Sequence, residues 1–195
     1  MSVHNNHFEL FQLPVAFRID HAQLERSYQD ILQQVHPDRQ QNQELQQRLA
    51  AQYAARVNDA YHCLRDPVRR AVYLLELQHI HIELEHSSVH DTVFLEQLMS
   101  WQEMLEDIEQ SRQPAASQQA GANADAMLCR IKQEIAEQMQ QQEARFIQCY
   151  DRIVALRRPE HPKESIASLT EEVQDAVLRL RFLGQISHQV DQAAY

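Results

Sequence analysis

Apolar side chains recur along this chain at spacings of three and four, interrupted by short polar stretches, and that rhythm predicts helices from end to end. Phe8, Leu10, Phe11 and Leu13 crowd a short entry segment that Pro14 closes, which reads as one turn of helix. Leu24, Tyr28, Ile31, Leu32 and Val35 then share one face of a helix for which Asp20 offers an N-cap and Gln23 a capping-box partner. Leu45, Leu49, Tyr53, Val57, Ala60, Tyr61 and Leu64 form the stripe of the next helix. Between the two stands His36-Pro37-Asp38. Proline removes a backbone N–H and disfavours helix for the residue before it, so the first helix ends near Val35, leaving His36 and Asp38 on the turn of an antiparallel helical hairpin. Asp66-Pro67 puts a capping side chain before a proline at the first helical position, starting a helix continued by Val68, Ala71, Val72 and Leu75, with Arg69 and Arg70 as its solvated face.

Residues 79–90 hold four histidines beside Glu83 and Glu85, but at spacings that match no zinc motif, so they read as a polar linker. Helical spacing resumes at Thr92, where Phe94, Leu98, Trp101, Leu105 and Ile108 make one core stripe. Leu95 and Met99 form a second apolar row that runs into Glu103 and Asp107; periodicity alone leaves that row equally consistent with core and with a binding edge. Residues 111–124 read as a loop or frayed end, and a long helix is expected from Asp125 to Leu156 with a solvated glutamine-rich outer face. Ser168 and Glu171 read as the capping box of a last helix with the stripe Val173, Val177, Leu180, Leu183 and Val190, and with Leu178 and Phe182 off it. The pattern therefore gives an all-α chain: an N-terminal hairpin over 1–78, a linker over 79–90 and a three-helix bundle over 91–195.

With 195 residues, the chain can bury a real core, and only 2 glycines and 6 prolines suit helices. Its net charge of −10 is unevenly placed. Residues 1–76 carry 8 arginines and no lysine against 9 acids, whereas residues 77–195 carry 10 basic and 19 acidic residues. An acidic second half disfavours nucleic acid and anionic membranes and suits a basic partner. Cys63, Cys129 and Cys149 form no CxxC pair and read as free thiols in a reducing compartment, and the opening segment lacks a signal peptide's basic and apolar regions, so a cytoplasmic protein is expected. No phosphate-cradling glycine loop, nucleophile elbow or metal-ligand cluster is present, and His36 and Asp38 on an exposed turn lack a pocket to shift their pKa values. An enzyme, a cofactor and a metal are therefore not expected.

His36-Pro37-Asp38, with HFELFQLP upstream and NDAYHCLRDPVRRAVYLL downstream, resembles the J-domain family of co-chaperones. The run LRDPVRRAVYLLEL is similar to the end of the J-domain in its HscB-type subgroup, which serves iron–sulphur cluster assembly. That resemblance implies that His36, Pro37 and Asp38 engage a DnaK-type chaperone (HscA-like) and stimulate its ATPase. Basic contacts would come from Arg26 and Arg39, since Gln33, Gln34 and Val35 stand where J-domains carry Lys or Arg. It further implies that DTVFLEQLMSWQEMLEDIEQ binds the iron–sulphur scaffold protein (IscU-like) through Leu95, Glu96, Met99, Ser100, Glu103 and Asp107, joined by Phe182. Glu96 stands where an apolar residue is usual and Ser100 where an acid is usual. The alternative is a general J-domain co-chaperone with a different client.

Overall fold

The structure, a computed structural model, describes residues 6–35, 44–84, 87–111, 118–156 and 164–194. The chain divides into two compact units, Met1–His81 and Ile82–Tyr195, all-α among the described residues.

The first unit holds α1 (His7–Leu10), α2 (His21–Val35), α3 (Glu44–Arg65) and α4 (Pro67–Leu77). Asp20 Oδ1 accepts from the amides of Ala22 and Gln23 and so caps α2, but the Gln23 side chain donates to the Gln12 carbonyl at 3.0 Å instead of completing the capping box. Helices α2 and α3 run antiparallel. The Tyr28 hydroxyl donates to Asn58 at 3.0 Å, its ring stacks on Tyr61 at 4.0 Å, and the Tyr61 hydroxyl donates to Glu25. Phe8, Phe11, Leu24, Val57, Ala60, Leu64, Leu74 and Leu75 are buried, and each of them other than Ala60 contributes on the order of 1.5–3 kcal/mol. Leu49, expected on the inward stripe, is 50% exposed, because Ala50, seven residues before Val57, takes the inward place. Asp66 caps α4 through the Arg69 amide at 2.9 Å with Pro67 in the first turn. The helix closes at His79, whose φ of 54° and amide bond to the Glu76 carbonyl, with Ile80 N–H on the Leu75 carbonyl, make a Schellman motif.

Arg70 corrects the expectation of a solvated face. It is buried, donates from Nη1 to the Leu64 carbonyl at 2.6 Å near the end of α3, and lies 4.8 Å over the Phe17 ring. Arg70→Met is expected to destabilise the first unit by about 2–4 kcal/mol, because it strands that carbonyl and removes a desolvated cation–π contact. Faster hydrogen exchange of the α3 and α4 amides would show it.

The second unit holds α5 (Thr92–Ser111), α6 (Gln118–Leu156) and α7 (Glu164–Ala193). Trp101 Nε1 donates to Glu134 at 2.9 Å, while Asp107 and Gln110 line a groove with Asn123 and Met127, so α5 and α6 are antiparallel. Lys132 pairs with Asp191 at 2.9 Å and Arg145 with Asp175 at 2.7 Å, which makes α6 and α7 antiparallel and leaves α5 parallel to α7. All five residues of the α5 stripe, Phe94, Leu98, Trp101, Leu105 and Ile108, enter the core with Ile131, Ile135, Leu183 and Val190. Three boundaries or faces differ from expectation. Helix α6 starts at Gln118 and buries Ala124; α7 starts at Glu164, placing Ser168 inside the helix and not at its cap, with Leu169 extending the inward stripe; and Gln142, within the glutamine-rich run, is buried. Part of the segment expected as a linker lies on α7: Arg181 donates to the Leu84 carbonyl at 2.9 Å, Gln174 to Ser87 at 2.7 Å, and Val89 is buried. Among the described residues no helix is long and apolar enough to cross a membrane.

Candidate functional site

Helix α5 is organised by what lies at its start. Asp91 Oδ1 accepts from the amides of Val93 and Phe94, and its Oδ2 takes a bond from Arg179 of α7 at 2.9 Å. Arg179 also bonds Asp175 at 3.0 Å and lies 4.9 Å over the Phe94 ring. These bonds fix the α5 N-terminus at the level of residue 179. The Arg179 bond, followed by the Phe94 amide, holds the Asp91 carboxyl below its usual range; the Trp101 indole, followed by Arg130, does the same for Glu134. Both depressed groups favour folding above about pH 4, and that contribution is lost as pH falls through their folded values.

With the core stripe turned inward, Leu95 and Met99 are left 38% and 59% exposed. They lie roughly 40° apart on the helix, with Glu103 a further 40° round, and Glu96, Ser100 and Asp107 continue the same exposed face away from α7. At the other end of the bundle, Gln102, Leu105, Glu106 and Glu109 of α5 face Gln189, Gln192 and Ala193 of α7 across a groove. Seven residues earlier on each helix, about two turns, the same seam carries Leu95, Leu98 and Met99 on α5 and Phe182 and Ile186 on α7. Phe182 is half-buried against the core, at the position that two turns of α7 carry from Gln189. Leu178, equally off-stripe in sequence, is buried in the core. Helical geometry thus projects Leu95, Met99 and Phe182 onto one seam, with Glu103 beside it, Glu96 and Ser100 further round the exposed face and Asp107 at the groove toward α6. Sequence reasoning missed Val93, which is 72% exposed but roughly 160° round the helix from Leu95.

The charge on this face is one-sided. Helix α5 carries Glu96, Glu103, Glu106, Asp107 and Glu109 and no basic residue. Acids in the last turns of a helix oppose its macrodipole, so this arrangement costs stability and suits a basic partner.

His36, Pro37, Asp38 and Arg39 lie outside the described residues. They fall in sequence between Val35 at the end of α2 and Glu44 at the start of α3. Arg26 is exposed on α2 and turns its Nε back onto the Ala22 carbonyl at 3.1 Å.

Burial pushes the Cys63 thiol up to about 11 and raises that of Cys149, which keeps both protonated at neutral pH. Among the described residues no three His, Cys, Asp or Glu side chains gather as metal ligands would.

Comparison with known proteins matches residues 6–73 to the DnaJ domain. The co-chaperone protein HscB homolog of Burkholderia multivorans is 39% identical over 135 residues, 69% of this chain and 73% of the relative. Its counterpart from Shewanella baltica is 47% identical over 113 residues, 57% of this chain and 65% of the relative, so that match spans just under two thirds of the relative's length. Among solved structures, chaperone HscB from Vibrio cholerae superposes with a TM-score of 0.71 at 27% identity, covering 97% of each chain. Human co-chaperone protein HscB has a TM-score of 0.60 at 23% identity, covering 98% of this chain and 83% of that one, and shares the fold.

Proposed function

Because this chain belongs to the HscB family of J-domain co-chaperones, we propose that it acts as an adaptor in iron–sulphur cluster assembly, delivering the scaffold protein to a specialised DnaK-type chaperone and stimulating that chaperone's ATPase. The first unit engages the chaperone through His36, Pro37 and Asp38, with Arg26 and Arg39 as basic contacts. The second unit holds the scaffold on α5 through Leu95 and Met99, with Phe182 on the same seam and Glu96, Ser100, Glu103 and Asp107 around them. Two sites on one chain raise the effective concentration of client at the chaperone and so couple hydrolysis to capture. No bond is made or broken by the adaptor itself.

The observation that carries this reading is the exposure of Leu95 and Met99 on a helix whose only charges are acidic. An apolar pair ringed by one sign of charge is suited to a partner with an apolar knob and a basic rim. Calorimetric titration against the iron–sulphur scaffold should give micromolar binding, about −8 kcal/mol. Affinity should fall several-fold between low and moderately high salt, because exposed pairs are worth about 0.2–1 kcal/mol each and are screened. Absence of binding, with ATPase stimulation intact, would return the chain to the reading of a co-chaperone for another client.

A further inference from the structure

The first unit carries a second charged surface that the tripeptide does not account for. His62 and Arg65 at the end of α3, with Asp66 and Arg69 at the start of α4, line an open notch, and all four are exposed. Cations in the last turn of a helix ordinarily serve its C-terminal carbonyls. Here part of that work is done from inside: buried Arg70 bonds the Leu64 carbonyl, and the Asp66 amide bonds the His62 carbonyl at 3.4 Å. Asp66, the one carboxylate lining the notch, gives an oxygen to the Arg69 amide. Arg65 lies over the Tyr61 ring at 5.8 Å, hydrogen-bonds the Tyr61 side chain and stands near the Glu25 carboxylate, yet the residue as a whole is exposed. Two arginines and a histidine thus stand exposed together in a chain of net charge −10.

We propose that His62, Arg65 and Arg69 form a second docking contact on the first unit, receiving the carboxylates of an acidic segment of the chaperone that the tripeptide engages. This rests on the function proposed above. The guanidinium fork pairs with a carboxylate in two parallel hydrogen bonds, a geometry lysine does not offer, and the first 76 residues carry 8 arginines and no lysine. A singly charged carboxylate also fits better than a phosphate dianion. Asp66 stands among the cations and repels a dianion more strongly, and its carboxylate already occupies the α4 amide that would otherwise help cradle phosphate. Distance makes the contact independent of the first. The 22 residues from Glu44 to Arg65 span roughly 30 Å of helix, so the notch lies at the opposite end of α3 from Glu44, the end that the tripeptide precedes in sequence. A weak ionic contact there tethers the partner and raises the effective concentration of the other contact.

Two measurements on the full chain decide it. The first follows the arginine side-chain Nε–H signals by NMR at low salt during titration with a blocked hexaglutamate peptide, and separately with inorganic phosphate. Shifts of Arg65 and Arg69 with the peptide, absent in Arg65→Gln/Arg69→Gln, support the site. No shift with the peptide, or shifts with phosphate alone, overturn it whether or not a chaperone responds. The second measures chaperone ATPase against co-chaperone concentration. The Gln pair should raise the half-stimulating concentration about fivefold, leave the maximal rate unchanged and flatten the salt dependence, and Arg65→Lys/Arg69→Lys should restore the salt dependence but only part of the affinity. An unchanged half-point and salt slope in a stimulating wild type overturn the inference and leave the proposed function standing. No stimulation by the wild type removes the chaperone as the occupant, and so the proposal with it, even where the peptide binds.

Discussion

His36→Gln is expected to reduce stimulation of the chaperone ATPase to the basal rate while leaving scaffold binding unchanged. Glutamine approximates the length of the imidazole and keeps a donor and an acceptor, but it cannot reproduce a planar ring with two nitrogens in fixed directions or carry a proton near neutral pH. The hairpin should not feel the change. Tyr28 on Asn58, Tyr28 on Tyr61 and Tyr61 on Glu25 lock α2 to α3 through side chains remote in sequence from residue 36. A steady-state ATPase assay, run beside calorimetric titration with the scaffold, separates the two activities. Loss of both in a folded variant would show that the sites are not separable.

Leu95→Ala/Met99→Ala is expected to weaken scaffold binding about 30-fold or more, close to 2 kcal/mol, with ATPase stimulation in the absence of scaffold unaltered. Both side chains are exposed in the free protein, so truncation removes contact area to the partner without opening a cavity, and the thermal midpoint should stay within about a degree or two. Phe182 needs separate handling because it packs on the core: Phe182→Leu keeps most of that packing while changing the shape of the seam. Glu103→Gln isolates the ionic part, and its loss of affinity should vanish at high salt. Affinity unchanged in the double variant would move the client site away from α5.

Much of the architecture could be read from periodicity, because a helix stripe that buries five residues of α5 at spacings of four, three, four and three leaves few alternatives. The Asp66-Pro67 start was equally legible, since the capping bond and the proline's missing N–H act locally. What escaped was tertiary. Arg70 reads as solvated because it is charged, yet the end of α3 uses it as an internal donor. Leu49 and Ala50 exchange places because position relative to Val57, not hydrophobicity, decides which side chain faces inward. Ser168 offers a good cap signal that the helix overrides by starting at Glu164. The off-stripe pairs were ambiguous for the same reason. Leu95, Met99 and Leu178 look alike in sequence, and only the packing of α5 beside α7 exposes the first two and buries the third. The linker reading of 79–90 missed bonds between residues about ninety apart, such as Gln174 on Ser87, which no local pattern encodes.

The central claim is that one chain must carry both contacts, and a mixing experiment tests it most directly. Chaperone ATPase is measured with the scaffold present at limiting co-chaperone, first with wild type and then with an equimolar mixture of His36→Gln and Leu95→Ala/Met99→Ala, each partner at the wild-type concentration. If the two sites work by tethering, the mixture should give no more stimulation than the second variant alone, because neither molecule can bring captured scaffold to the chaperone it activates. Recovery of the wild-type rate by the mixture would contradict the adaptor account.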